Sequence, residues 1–290
     1  MVISDHRRDP SADRRPGDQS SPERWLIALD IDGTVLREDG SLGDDTLREV
    51  QWAVSLGHEV MLATGRSVSM TLPVLHRLGL NSHYVVCANG AIVLGRDPMA
   101  PLGYAPAFVE TFDPTEVLTT VRSHLEEASF AVEDADGVFR FTGSFPEGAL
   151  AASRQKVPFE QLLHVQATRV VVISPDHAID DFLSVVERMG LHKVSYNVGW
   201  TAWLDIAPEG VNKSTGLEHV REVLGIPRSR VLVMGDGRND IDMLEWAVGG
   251  GGVGVAMGQS PEEVLAAASE RTATDLDDGV AVALARHFQG

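Results

Sequence analysis

The chain has 290 residues, of which 43% are hydrophobic and 23% charged, enough for two ordinary domains with a sizeable core. Its formal net charge of −18 repels nucleic acid and anionic membrane surfaces, so neither is an expected partner. The single cysteine, Cys87, excludes an intramolecular disulfide and a Cys-rich metal cage, and fits a cytoplasmic protein.

Residues 1–23 mix Arg, Asp, Ser and Pro without the apolar stretch of a secretory signal, and their composition predicts a disordered tail. No apolar run long enough to span a membrane follows. From Trp25 the pattern alternates. "WLIALDI" predicts a buried strand that ends on Asp30 and Asp32. "DDTLREVQWAVSLG" predicts a helix with Leu47, Val50 and Val54 on one face and Gly57 at its end. "HEVMLATG" is a second strand, "SVSMTLPVLHRLGL" a helix interrupted or begun around Pro73, and "HYVVCANGA" a third strand. Strand and helix in alternation imply right-handed crossovers and a doubly wound parallel sheet, that is, a Rossmann-like α/β core.

Around Ala107 the rhythm changes. "DPTEVLTTVRSHLEEA" predicts a helix with Asp113 as N-cap. "FAVEDADGVFRFTG" predicts two strand-like runs about an Asp-Gly turn, and "TRVVVISP" another strand. "AIDDFLSVVERMG" is a helix and "HKVSYNVGWTAWLDIAP" two strands. After Pro208 the strand–helix alternation resumes with "NKSTGLEHVREVLG", "RVLVMGD", "NDIDMLEWAV" and "GVGVAM". The expected organisation is an α/β core of residues 24–107 and 207–290, interrupted by a different, α+β domain of residues 108–206.

In open parallel sheets ligands bind beyond the carboxyl ends of the strands. There this sequence places Asp30 and Asp32, then Thr64, Gly65 and Arg66, then Asn89, then Asp236, Asn239 and Asp240, with Lys213 close by. Clustered carboxylates repel one another unless a hard cation sits among them, and an all-oxygen set without His or Cys suits Mg²⁺ rather than zinc. One carboxylate can then attack phosphorus. A second, two residues on, can protonate the leaving oxygen and later deprotonate water. Taken singly, each piece has a plainer explanation: Asp-x-Asp as a solvated turn, Thr64 as a helix cap, Lys213 as a surface charge. Their order and their placement on the sheet favour the chemical reading. "GVNKST" lacks the glycines of a P-loop, and Gly249, Gly251 and Gly254 follow a helix rather than a strand, so neither nucleotide motif has its context.

"DIDGT" (Asp30, Asp32, Gly33, Thr34), "ATGR" (Thr64, Gly65, Arg66), Lys213 and "GDGRNDIDML" resemble the four motifs of the haloacid dehalogenase-like superfamily. "NGA", "GVNKSTGL", "GVAMG" and "DLDDGVAVAL" resemble its Cof-type branch, which carries a large α/β cap between the second and third motifs. The resemblance implies a phosphomonoester phosphatase of a small phosphorylated metabolite, a sugar phosphate by expectation. It implies Asp30 as nucleophile and Asp32 as general acid/base. Mg²⁺ would be held by the Asp30 carboxylate, the Asp32 main-chain carbonyl and Asp236, with Asp240 supporting the metal. Gly33, Thr34, Thr64, Gly65, Arg66, Asn89, Lys213 and Asn239 would bind the phosphoryl group or substrate. The chain departs from the family pattern at Gln259 and Leu265, and at "TDLDDG". A phosphomutase with the same nucleophile, and a non-catalytic phospho-receiver or binding protein, are the competing readings. In the cap, His124, His164, Arg140, Arg154, Lys156, Arg169 and Lys193 could meet a polar substrate but read first as cations facing water, and Trp200 and Trp203 could stack on a sugar but read first as packing in the cap sheet. Oligomeric state is not legible.

Overall fold

A computed structural model describes residues 24–100, 102–150, 153–174, 179–189, 194–198 and 202–289. The expected tail, Lys193 and Trp200 lie outside the described residues.

Five parallel strands build the core sheet: β1 (Leu26–Leu29), β2 (Glu59–Leu62), β12 (Val231–Gly235), β13 (Val253–Ala256) and β14 (Glu270–Arg271), in the order β14-β13-β12-β1-β2. Every residue of β1 is buried, because both faces are covered. Ile27 and Leu29 pack towards Val50, Leu75 and Leu284, whereas Leu26 and Ala28 pack towards Leu217, Val220 and Met243. The first face belongs to α1 (Asp44–Ser55), α2 (Val68–Arg77) and α9 (Gly279–Phe288). The second belongs to α6 (Lys213–Leu224), α7 (Ile241–Gly249) and α8 (Glu262–Ala267). The chain winds outward from β1 to β2, and later outward from β12 in the opposite direction. The switch point therefore falls between β1 and β12, where a doubly wound sheet opens its binding crevice.

α2 runs unbroken through Pro73 rather than stopping there. Pro73 sits in the second turn, where it removes one backbone bond, and the buried Thr71, Leu72, Val74 and Leu75 hold the helix against the sheet. The third strand, β3 (Tyr84–Cys87), joins β2 through the parallel bridge Ala63–Val86. It then leads into two antiparallel strands that the sequence reading lacked, β4 (Ile92–Arg96) and β5 (Tyr104–Val109). Pro106 looked like a domain joint. It is tolerated because β5 is an edge strand and its register with β4 shifts at Val93–Leu94. Phe108 and Val109 thus stay on the sheet attached to the core, while Ala207 and Pro208 pair with Ser195 and Val194 of the second sheet.

That second sheet has six strands in the order β10-β11-β9-β6-β7-β8. They are β6 (Ser129–Asp134), β7 (Phe139–Phe141), β8 (Arg154–Lys156), β9 (Ala167–Ile173), β10 (Val194–Val198) and β11 (Trp203–Pro208). One face carries Phe130, Val132, Val170 and Val172 against α3 (Thr115–His124) and α5 (Ile179–Met189), with α4 (Phe159–Leu162) beside them. The N-cap of α3 is Pro114 rather than the expected Asp113, which lies one residue earlier and accepts from Thr115 N through its Oδ1 at 2.9 Å. The opposite face, with Ala131, Val171 and Ile173, carries Phe141, Phe145 and Trp203. The alternation along β6 and β9 puts Glu133 and Arg169 on this second face too.

Candidate active site

Asp30 extends β1 by one residue, its amide bonding to Met234 O at 3.0 Å, and the residue is 5% exposed. The chain then turns sharply. Thr34 N and Leu36 N both bond to Ile31 O, and Gly33 adopts a φ of 72°. A Cβ at Gly33 would lie 2.3 Å from Asp236 Oδ2, so only glycine fits this approach. The turn separates the two aspartates that an ideal strand would point the same way. Asp30 is buried at the end of β1. Asp32 is exposed and held by Arg66, with Nε to Oδ2 at 2.8 Å and Nη2 to Oδ1 at 2.5 Å.

Lys213 opens α6, whose N-terminus Asn212 caps by accepting from Thr215 N. Gly90, at φ 101°, lets the β3 loop press on that cap, since a Cβ there would lie 2.0 Å from Asn212 O. Lys213 is completely buried. Its Nζ donates to Asp30 Oδ1 at 2.6 Å and to Asp240 Oδ1 at 2.7 Å. Burial opposes its charge, but Asp240 and Asp30 outweigh it and raise its pKa. Asp240 is saturated: its other oxygen accepts from Asp236 N at 3.0 Å and Gly237 N at 2.9 Å. Asp236 is half-buried and receives Thr34 Oγ1 at 3.3 Å.

Oxygens of Asp30, Asp236 and Asp240 all lie within 4.8 Å of one another. Lys213 is the one cation bonded to them among the described residues, which leaves negative charge uncompensated. Burial, then the charge of Asp240, pushes Asp236 up to about 7. Burial also pushes Asp30 well above the usual carboxylate range. Lys213 pulls it down, and Asp240, Asp236 and Asp32 push it further up. An all-oxygen pocket with surplus negative charge fits a hard divalent cation.

A cavity of about 630 Å³ opens over this floor. Asp30, Asp32, Thr64, Gly65, Arg66, Asp236 and Asn239 line it. Thr64 Oγ1 accepts from Arg66 N at 3.1 Å, which fixes the loop after β2. Asn89 does not line the cavity, contrary to its expected role as a direct substrate contact. It is 4% exposed behind Gly65 and holds Asn239 Nδ2 through its Oδ1 at 3.0 Å. Its contact with the cavity runs through Asn239. Gly33, Thr34, Lys213 and Asp240 stand behind the wall, and Lys213 meets the cavity through Asp30. Gln259 ties the turn after β1 to the C-terminal segment, donating to Gly33 O at 2.5 Å and accepting from Asp275 N at 3.2 Å.

The second sheet supplies the roof: Pro146, Glu147, Arg169, Trp203 and Asp205. Arg169 was expected to face water. It is 4% exposed and donates through Nη1 to Gly65 O on the core loop. Asp205 and Glu133 were not singled out from the sequence. The available signal was a charged residue inside an otherwise apolar strand, as in "ATRVVVI", "WLDIAP" and "SFAVED".

Residues 27–284 match the model of the haloacid dehalogenase-like hydrolase family. The chain belongs to this family. The hydrolase is of the Cof type that its motifs resemble. It is 30% identical over 275 residues to the 5-amino-6-(5-phospho-D-ribitylamino)uracil phosphatase YitU of Bacillus subtilis, covering 91% of this chain and 97% of that one. It is 26% identical to the pyridoxal phosphate phosphatase YbhA of Escherichia coli, covering 91% of this chain and 98% of that one. Its fold matches a sugar phosphatase of subclass IIB with a TM-score of 0.75 at 21% identity, over 91% of this chain and 99% of the other. A Thermotoga maritima protein matches with a TM-score of 0.71 at 23% identity, over 91% of this chain and 97% of the other.

Proposed function

We propose that this hydrolase, a phosphoric monoester hydrolase by family, releases phosphate from small phosphorylated metabolites through an aspartyl-phosphate formed on Asp30. The substrates are sugar phosphates or phosphates of similar polyhydroxy compounds. The observation that carries this reading is the seat of Asp30: a carboxylate at the mouth of the switch point, bonded to a buried lysine and open to a substrate-sized cavity.

Asp30 attacks phosphorus, and the bond to the ester oxygen breaks. Asp32, exposed beside the cavity on its arginine, gives a proton to the departing oxygen. It then takes one from the water that attacks phosphorus and frees Asp30. Thr64 and Asn239 offer hydroxyl and amide donors to the phosphoryl oxygens, and Lys213 steadies the Asp30 carboxylate from below. Mg²⁺ would be held by the Asp30 and Asp236 carboxylates and the Asp32 main-chain carbonyl. Asp240, with both oxygens engaged by protein donors, would support the site from behind. Bound there, the cation supplies the positive charge that keeps Asp30 ionised and offsets charge building on the phosphoryl oxygens.

A phosphate-release assay tests this directly. Chelation should abolish turnover, and Mg²⁺ should restore it better than Ca²⁺, whose looser coordination suits in-line transfer less well. Full activity in excess chelator would refute the metal-dependent reading. Transfer of phosphate to a second position of the same sugar, without release, would favour a phosphomutase.

A further inference from the structure

Arg169 is the single charged residue of β9, and it is 4% exposed. Its own sheet gives it charge but little direction. Nε lies 3.6 Å from Glu133 Oε2 and 3.5 Å from Asp205 Oδ1, and neither contact is a hydrogen bond. The guanidinium carbon stands 5.5 Å from the centroid of the Phe139 ring. These contacts offset the burial of a side chain that cannot lose its charge. The directed bond leaves the second sheet: Nη1 donates to Gly65 O, 104 residues away in the chain, on the core loop after β2.

In that loop Thr64 O accepts from Asn89 N at 3.0 Å and Arg66 O accepts from Ala88 N at 2.9 Å, so both flanking carbonyls are tied within the core. The Gly65 carbonyl between them turns to the roof. The peptide joining Gly65 to Arg66 is thereby pinned at both ends, its N–H on Thr64 Oγ1 at 3.1 Å and its oxygen on Arg169. A glycine leaves such a peptide free to rotate unless both ends are held. Arg66 then carries its fork to Asp32, Nε to Oδ2 at 2.8 Å and Nη2 to Oδ1 at 2.5 Å. A bidentate fork fixes the plane of the carboxylate that it grips. One line of contacts thus runs from the roof to Asp32.

We propose that Arg169 is a positioning residue: its bond to the Gly65–Arg66 peptide aligns Asp32, through the fork of Arg66, for protonating the leaving oxygen. The acid/base is complete only while the roof is seated on the core loop. The proposal rests on the phosphatase reading and deepens it. Losing the bond should harm each ester in proportion to its need for that proton, which is large for a basic leaving oxygen and small for an acidic phenol.

The test compares kcat/KM of the full chain across substituted phenyl phosphates of similar size, from 4-nitrophenyl phosphate to phenyl phosphate. Arg169→Met should lose about tenfold on phenyl phosphate and less than about threefold on 4-nitrophenyl phosphate. Arg66→Met should lean the same way, and adding Arg169→Met to it should cost little more, because both act along one line. Melting curves check the fold. Where an unpaired Glu133 keeps Arg169→Met from folding, the double variant Arg169→Met/Glu133→Gln carries the comparison. Equal losses along the series, or losses that multiply when Arg169→Met is added to Arg66→Met, overturn the proposal. A wild-type protein inactive on every ester and on acetyl phosphate refutes the phosphatase reading itself, and the proposal with it.

Discussion

Two clusters of charge flank the cavity, and each sets one cation between two carboxylates. On the floor, Lys213 Nζ reaches Asp30 and Asp240 at 2.6 and 2.7 Å. In the roof, Arg169 Nε stands 3.6 and 3.5 Å from Glu133 and Asp205. The floor is closed. Asp240 also takes two backbone amides, so its strand end and the Asp236 loop are fixed before any substrate arrives. The roof is loosely paired, with four buried polar atoms lacking hydrogen bonds. The same ingredients thus differ in how closely they pair: tight pairing seats Asp30, and looser pairing ties β6, β9 and β11 together in the roof.

Removing the cation from each cluster should separate the two. Lys213→Met leaves Asp30 and Asp240 buried against each other. The cost should be roughly 3–5 kcal/mol of stability. Turnover of every ester should fall at least about a hundredfold, some 2.7 kcal/mol of barrier. Arg169→Met should cost only about tenfold in kcat/KM, and chiefly on esters with poor leaving groups. Steady-state kinetics with parallel melting curves check both. Equal losses of kcat in the two variants would erase the distinction between floor and roof.

A smaller effect sharpens it. Glu133 binds its proton more tightly in the fold, at about 7, than at its ordinary value of 4.5. Its contribution to stability is therefore fully present below the unfolded value and is lost as pH rises through about 7. Glu133→Gln escapes that loss. Its melting temperature relative to wild type should climb between about pH 5 and about pH 8, by the equivalent of at most about 3 kcal/mol. A difference independent of pH would show that Glu133 is satisfied in the roof after all.

The floor was legible in the sequence because its residues sit at strand ends in a fixed order. A carboxylate such as Asp30 or Asp236 at the end of an apolar run stands out against the run itself. The parallel core sheet followed from the alternation of strands and helices. The antiparallel pair β4–β5 was not legible, because Pro106 read as a break and only the edge position makes it acceptable. The roof was legible only in part. Arg169 and Trp203 were noticed as a cation and an aromatic, but facing the cavity is a property of register between β6, β9 and β11. Pairing over such distances leaves no local signature beyond a lone charge within an apolar strand. Asn89 was placed at the right strand end, but its depth behind Gly65 depends on packing that no spacing reveals.

The central claim is that phosphate passes through Asp30, and acid-quenching the Asp32→Asn variant during turnover of acetyl phosphate tests it most directly. Acetyl phosphate needs little help to leave, so the first step should still run, while the water that frees Asp30 loses its base. The quenched protein should carry phosphate on the peptide containing Asp30, at a stoichiometry approaching one per chain. Released phosphate with that peptide unmodified throughout would contradict the account and point to direct attack by water.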